Sequence, residues 1–410
     1  MKKTLLFSLL ILLTAAPATW AGSYSMNTDF YTPSADQDQL PLVKGEDVRN
    51  IILMIGDGMS LPQVTVAQFA GPGPDGRLYI QRMPVTGLAN TVSEDQLITD
   101  SAAGVTAIAS GRKTENGTIN ILPDGTKTNN IESLAHEKGL ATGIVVTCGV
   151  THATPAGFCS HVWKRSHQDS IAVDISNSGL DVLLGGGLEY FIPKGEKGSR
   201  RKDDLNLLQK MEKSGYNFVD TRAELDAAKD GKLLGLFANG PLTTTDTTQP
   251  SLYEMTTKAI DLLSKSRKGF FLMVEGSQID WEAHANEEEG VVRETLMFDQ
   301  AVGAALDFAQ KDGHTLVIVT ADHETGGLTI TEGIRDGSWM LVNFSTGHHT
   351  PLPVPVYAYG PGAMRFTGFY QNTEIARKMA DLLGIKRLLP RGESEKAAHE
   401  KNYIEKMTGK

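Results

Sequence analysis

Ile51-Ile52-Leu53-Met54-Ile55 runs without a polar residue into Gly56-Asp57-Gly58. Three other segments have the same form. Ile144-Val145-Val146 leads to His152-Ala153-Thr154-Pro155, Phe270-Phe271-Leu272-Met273-Val274 to Glu275, Asp280 and His284, and Leu316-Val317-Ile318-Val319 to Thr320-Ala321-Asp322-His323. Short apolar runs bounded by Gly and polar residues read as buried parallel strands. Helical spacing recurs between them, so the order strand, helix, strand predicts an α/β fold: a large central, mostly parallel sheet with helices on both faces. Ligands of such sheets bind beyond the carboxyl ends of the strands. Four ends that each carry oxygen or nitrogen donors predict one polynuclear metal site.

The 410 residues suffice for one large α/β domain with inserted loops or for two domains. The formal net charge of −10 disfavours nucleic acid as a partner, because phosphate backbones need a basic face. Residues 1–21 read as a signal peptide: Lys2 and Lys3, the apolar stretch Leu5 to Leu13, and Thr19-Trp20-Ala21 as the cleavage site. That stretch is short for an uncleaved anchor, and no later run reaches the length of a span, so no membrane anchor is expected after cleavage. The chain is expected to be periplasmic or secreted, with a single catalytic domain over 22–410. Export permits a disulfide, but there are only two cysteines, Cys148 and Cys159, and either a bridge or two thiols is compatible with their placement. Any metal must then rely on His and carboxylate.

Strands are expected at 50–55, 316–320 and 354–359, and helices at 101–110, 131–139, 254–266, 295–311 and 373–384. Thr99-Asp100 are suited to the cap region of the helix that begins at Ser101. Asn116-Gly117 signals a turn; Asn116-Gly117-Thr118 is also a glycosylation sequon, which turn chemistry accounts for. Residues 185–205 read as a surface insertion with Arg200-Arg201-Lys202 in a solvated loop, Asn286 to Glu289 as an acidic turn or helix start, and the tail from Arg391 as a frayed helix.

Asp280 and His284 stand at i, i+4 at a helix start, on one face, where a carboxylate and an imidazole grip one divalent ion. Asp322-His323 follows a strand, and an irregular strand end lets both turn to one site. Asp57 lies between glycines that let the backbone crowd a metal. His348-His349 adds imidazoles before the strand at 354. Oxygen ligands mixed with imidazole suit Zn²⁺, Mn²⁺ or Mg²⁺, and two such ions about 4 Å apart clamp the entering and leaving oxygens of a phosphoryl transfer. Ser101 stands at a helix start whose dipole favours an anion. It is either a nucleophile activated by metal or a helix cap.

Taken together, Ile55-Gly56-Asp57-Gly58-Met59, Thr99-Asp100-Ser101-Ala102-Ala103, Thr154-Pro155-Ala156 with His161-Val162 and Arg165, Val274-Glu275-Gly276, Ile279-Asp280, His284, Thr320-Ala321-Asp322-His323 and His349-Thr350 resemble the bacterial-type alkaline phosphatases, in the family's order and over most of the chain. The resemblance implies a phosphomonoesterase that hydrolyses phosphate monoesters to alcohol and inorganic phosphate through a phosphoserine on Ser101, with two Zn²⁺, one Mg²⁺ and a homodimeric assembly. It implies Asp280, His284 and His349 for the first zinc, Asp57, Asp322 and His323 for the second, and Asp57, Thr154 and Glu275 for the magnesium. Arg165 would hold two phosphate oxygens through its planar fork. His152 stands where the enterobacterial enzymes have Asp, and Trp281 where they have Lys, both on the substrate side. The short segment before His349 leaves no room for a large inserted crown. A sulfatase is disfavoured because Ser101 to Val105 lacks the Pro and Arg of that motif. A phosphodiesterase of the same fold and a non-catalytic binder remain alternatives. His136, His161, His167, His314, His348 and His399 are expected to be structural or surface residues.

Overall fold

The computed structural model describes residues 28–386 and Leu388. The signal-peptide stretch, the charged tail with His399, and the start of the mature chain lie outside them. Fourteen strands occur among the described residues: β1 Asn50–Gly56, β2 Val85–Asn90, β3 Ala141–Gly149, β4 Val182–Gly186, β5 Tyr216–Val219, β6 Lys232–Leu236, β7 Phe270–Gly276, β8 Thr315–Thr320, β9 Glu324–Thr325, β10 Leu328–Gly333, β11 Met340–Phe344, β12 His349–Thr350, β13 Val354–Tyr359 and β14 Gly368–Gln371. Ten form one sheet in the order β14-β2-β13-β8-β1-β7-β3-β4-β6-β5. β13 runs antiparallel to both β8 and β2, and the remaining pairs are parallel.

β1 is central. Its five apolar side chains are fully buried, as are those of Phe270 to Val274 and Leu316 to Val319 on its two neighbours. Each such side chain contributes roughly 1.5–3 kcal/mol relative to exposure, so no alternative register leaves this stack intact. The parallel register aligns the strand ends: Ile55 pairs with Glu275 on one side and Thr320 on the other, and Val146 pairs with Glu275. Asp57, Glu275, Asp322 and the turn after β3 thereby emerge at one edge. Helices cover the core, with Leu252–Leu263 packed on Glu288–Asp312 and Ser101–Ser110 on Thr373–Leu382.

Several expectations are refined or corrected. The strand expected at 354–359 is present with those bounds, as an antiparallel member of the mostly parallel sheet. The helix expected at 295–311 begins at Glu288, so of the two readings of the acidic stretch 286–289, turn or helix start, the helix start is the one observed. The 185–205 segment is not all surface: Gly185 and Gly186 end the buried strand β4. Arg201 is also buried, its guanidinium gripping both oxygens of Asp203 at 2.7 Å and donating to the carbonyls of Asp169 and Tyr190. Strands β2, β5 and β6 are further additions. The segment before His349 holds only the β10-β11 hairpin. Among the described residues no helix is long and apolar enough to cross a membrane.

Candidate active site

Ser101 is the first residue of its helix, and Asp100 is the cap. Asp100 Oδ1 accepts from Ala103 N at 3.0 Å, so the Ser101 hydroxyl is free of that duty. The small residues that follow let the helix approach the strand end closely: a Cβ on Gly104 would stand 3.0 Å from the Asp322 carbonyl oxygen. This approach sets Ser101 Oγ 3.2 Å from His323 Nε2.

Around His323 the sheet edge is crowded with acid. His323 Nε2 lies 3.2 Å from Asp322 Oδ2 and 3.5 Å from Asp57 Oδ1, all fully buried. Asp322 Oδ1 is engaged by the amides of Gly58 and His323, whereas Asp322 Oδ2 and both oxygens of Asp57 have no hydrogen-bond partner. Burial, then the charges of Asp322, Asp280 and Glu275, pushes the Asp57 carboxyl well up. Burial and Asp280 push Asp322 up to about 6.

The second cluster forms from a helix and the short strand β12. Asp280 and His284 are one turn apart on the helix Gln278–Ala285, with His284 Nε2 3.4 Å from Asp280 Oδ1. β12 pairs with β9 and brings His349 Nε2 to 3.5 Å from the same oxygen. The Nδ1 atoms of His284 and His349 each contact a backbone carbonyl, Gly347 and Thr99, at 2.8 Å. A carbonyl only accepts, so both rings carry their proton on Nδ1. Both Nε2 lone pairs then face each other across 3.0 Å, next to a carboxylate. Although burial works against its charge, contacts from His284 and His349 hold Asp280 well below the usual carboxylate range. Two lone pairs and an anion in mutual contact need a cation between them. The donor set therefore fits a metal. Asp280 is common ground: its donor atoms group with His284 and His349, and again with Asp57 and His323.

Behind Asp57 stand Thr154, on the short helix Ala153–Ala156, and Glu275, at the end of β7. Thr154 Oγ1 and Glu275 Oε1 are buried without hydrogen-bond partners, and burial raises Glu275 to about 7. These oxygens fit a hard divalent ion. His152 lies edge-on to Trp281, with ring centroids 5.8 Å apart; its Nδ1 is buried and unpartnered, and burial lowers it to about 4, so the ring is neutral.

Arg165 reaches the mouth of the site and pairs with Asp100, Nη1 to Oδ2, at 3.1 Å. This role of Asp100 was not read from the sequence; the Asp-Ser pair was visible, but nothing local joins residue 100 to residue 165. The turn at 116–117 completes the frame. Asp100 N donates to Asn116 Oδ1, Gly117 N to Asp100 Oδ2, and Arg165 N to the Gly117 carbonyl. His348 is exposed, in contrast to His349, and His161 Nε2 and His314 contact Thr128 O and Asp47, as expected of structural residues. Both cysteines are free thiols, with Cys148 Sγ 3.5 Å from Glu275 Oε2.

A family model described as alkaline phosphatase matches residues 48–342, the span from β1 through β11. The chain belongs to the alkaline phosphatase family. Its relatives include alkaline phosphatase 3 of Bacillus subtilis, 35% identical with 85% of this chain and 91% of that one covered, and the alkaline phosphatase of Escherichia coli, 33% identical with 82% and 86% covered. Among solved structures it is similar to the alkaline phosphatase of the Antarctic bacterium TAB5, at 37% identity and a TM-score of 0.76 over 83% of this chain and 99% of that one. A variant of that enzyme carries magnesium in its M3 site. Alkaline phosphatases are metal-dependent phosphatases, and phosphate monoesters are substrates that fit the family.

Proposed function

We propose that this enzyme is an exported phosphomonoesterase that works through a phosphoserine on Ser101 with two Zn²⁺ and one Mg²⁺. The observation that carries the reading is the placement of Ser101 Oγ 3.2 Å from His323 Nε2, at the edge of a buried, unneutralised acid cluster. In this reading Asp280, His284 and His349 hold the first zinc, Asp57, Asp322 and His323 the second, and Asp57, Thr154 and Glu275 the magnesium. Bound divalent ions supply Lewis acidity, lowering the pKa of the Ser101 hydroxyl and of a water, and they neutralise the four carboxylates.

The chain's own groups do the rest. Arg165 orients the phosphoryl group, preset by Asp100. Ser101 Oγ loses its proton to solvent and bonds to phosphorus as the ester P–O bond breaks, and the departing alkoxide takes up a proton. Water then attacks the phosphoserine; the P–Oγ bond breaks, Ser101 regains a proton, and inorganic phosphate leaves. The N-terminal dipole of the Ser101 helix stabilises the anion throughout. Trp281 and His152 line the substrate side without adding a charge. We also assign residues 1–21 as the signal peptide, 22–410 as one catalytic domain, and a homodimer as the assembly, without a membrane anchor or a nucleic-acid partner.

Hydrolysis of p-nitrophenyl phosphate across pH 7 to 11, before chelation, after it, and after return of zinc and magnesium, tests the reading. Metal-dependent monoesterase activity rising into alkali supports it. Preferential turnover of the bis-ester replaces it with a phosphodiesterase, and no turnover by metal-loaded protein replaces it with a binder.

A further inference from the structure

We infer that Thr325 is a positioning residue that couples the two proposed zinc sites through its single hydroxyl. This rests on the metal reading above. Thr325 Oγ1 lies 2.5 Å from Asp280 Oδ1, the oxygen shared by His284 and His349, and 3.3 Å from His323 Nδ1. A hydroxyl has one proton. Asp280 is an ionised acceptor, so the proton goes there, and the Thr325 oxygen must then accept the Nδ1–H of His323. That acceptance sets the tautomer of His323 and aims its Nε2 lone pair at Asp57, Asp322 and Ser101. One side chain thus orients a ligand in each cluster.

The backbone of Thr325 is fixed to match. Its N–H donates to the Gly58 carbonyl at 3.1 Å, next to Asp57, and its partner across the β9–β12 ladder is His349. Gly58 has φ +72°, and a Cβ there would stand 2.7 Å from Thr325 Oγ1 and 2.9 Å from the Asp280 Cα, so only glycine leaves the hydroxyl its place. The adjacent Glu324 locks the turn: its fully buried carboxylate accepts from Gln63 Nε2 at 2.8 Å, from the amides of Gly327 and Leu328, and from the Thr350 hydroxyl. Thr325 is therefore held from every side at the junction of Asp57, Asp280, His323 and His349.

Two substitutions separate the hydroxyl from the methyl group. Thr325→Val keeps the shape and removes the hydroxyl; Thr325→Ser keeps the hydroxyl and removes the methyl. Zinc affinity is measured by competition with a chromogenic chelator, together with bound zinc per chain and the melting temperature of the metal-free protein. We expect Thr325→Val to bind zinc about 10–100-fold more weakly at both sites, with a metal-free melting temperature near that of the parent, and Thr325→Ser to bind as the parent does. Equal zinc affinity in Thr325→Val and the parent overturns the assignment, as does weaker binding in Thr325→Ser than in Thr325→Val, which marks a packing role. A parent chain that takes up no zinc overturns the metal reading and this one with it.

Discussion

Asp100 divides its carboxylate between two tasks: Oδ1 caps the helix that begins with Ser101, and Oδ2 holds Arg165 Nη1 at 3.1 Å. The same side chain thus fixes the helix start and the proposed phosphate clamp. Asp100→Asn keeps the cap acceptor and removes the ion pair. We expect KM and the inhibition constant of inorganic phosphate to rise together, by roughly tenfold, because a mobile guanidinium no longer presents a preset fork. Asp100→Ala should do the same and also lower stability by about 1 kcal/mol through the lost cap. Steady-state kinetics with phosphate inhibition, and thermal melting, check both.

Ser101→Ala removes the proposed nucleophile while leaving Asp100 to cap the helix. We expect kcat to fall by about 10³-fold or more with little change in melting temperature. Acid quench of the parent with labelled substrate should trap label on Ser101, and the variant should trap none. Label on another residue would sink the assignment.

Metal removal should unsettle the fold at the sheet edge as well as stop turnover. Asp57 and Asp322 sit fully buried beside Asp280 and Glu275. Without counter-ions their mutual repulsion and desolvation act against the native state. We expect chelation to lower the melting temperature, and zinc plus magnesium to restore it in a concentration-dependent way. Calorimetry with and without chelator reads this directly.

Glu132 predicts a pH dependence remote from the site. It is fully buried, with Oε1 unpartnered, and burial raises its pKa from an ordinary 4.5 to about 8. The folded chain therefore holds this proton more tightly than the unfolded chain. The stabilisation is complete below about pH 4.5 and is lost as pH rises through about 8. Glu132→Gln should flatten that part of the profile and melt higher, relative to the parent, at pH 9 than at pH 6. Parallel profiles for the two proteins would refute it.

We expect Trp281 to bear on product release and His152 on the third ion. An indole stands beside a neutral, unpartnered imidazole. Trp281→Lys should add a cation near the phosphate and tighten phosphate inhibition several-fold, with slower turnover. His152→Asp should add a hard anionic ligand and raise magnesium occupancy, measured by metal analysis. Unchanged phosphate inhibition, or unchanged occupancy, would remove the respective role.

The central strands were legible, and with them several candidate metal donors, because Asp57, Glu275 and Asp322 follow continuous apolar runs, whereas His349 precedes the strand at 354–359. A run such as Ile51 to Ile55 has one stable environment, the middle of a parallel sheet, and parallel register then aligns whatever residues follow it. The outer strands were less legible. Val85–Asn90 is half exposed and contains Gly87, whose missing Cβ is explained only by the Phe366 carbonyl oxygen, 2.1 Å from where that atom would lie. β4, β5 and β6 are short and glycine-broken or partly exposed, so their strand character comes from pairing. Local pattern singled out Asp57, Asp280, His284, Asp322, His323 and the pair His348-His349 as candidate metal donors and left Ser101 as nucleophile or cap; the choice of His349 and of Ser101 as nucleophile came from the family resemblance. Only the tertiary structure decided that Asp100 serves Arg165, that Asp280 is shared between two clusters, and that Thr325 reaches both. Those relations depend on distances of a few ångströms between segments tens to hundreds of residues apart, and no local periodicity encodes them.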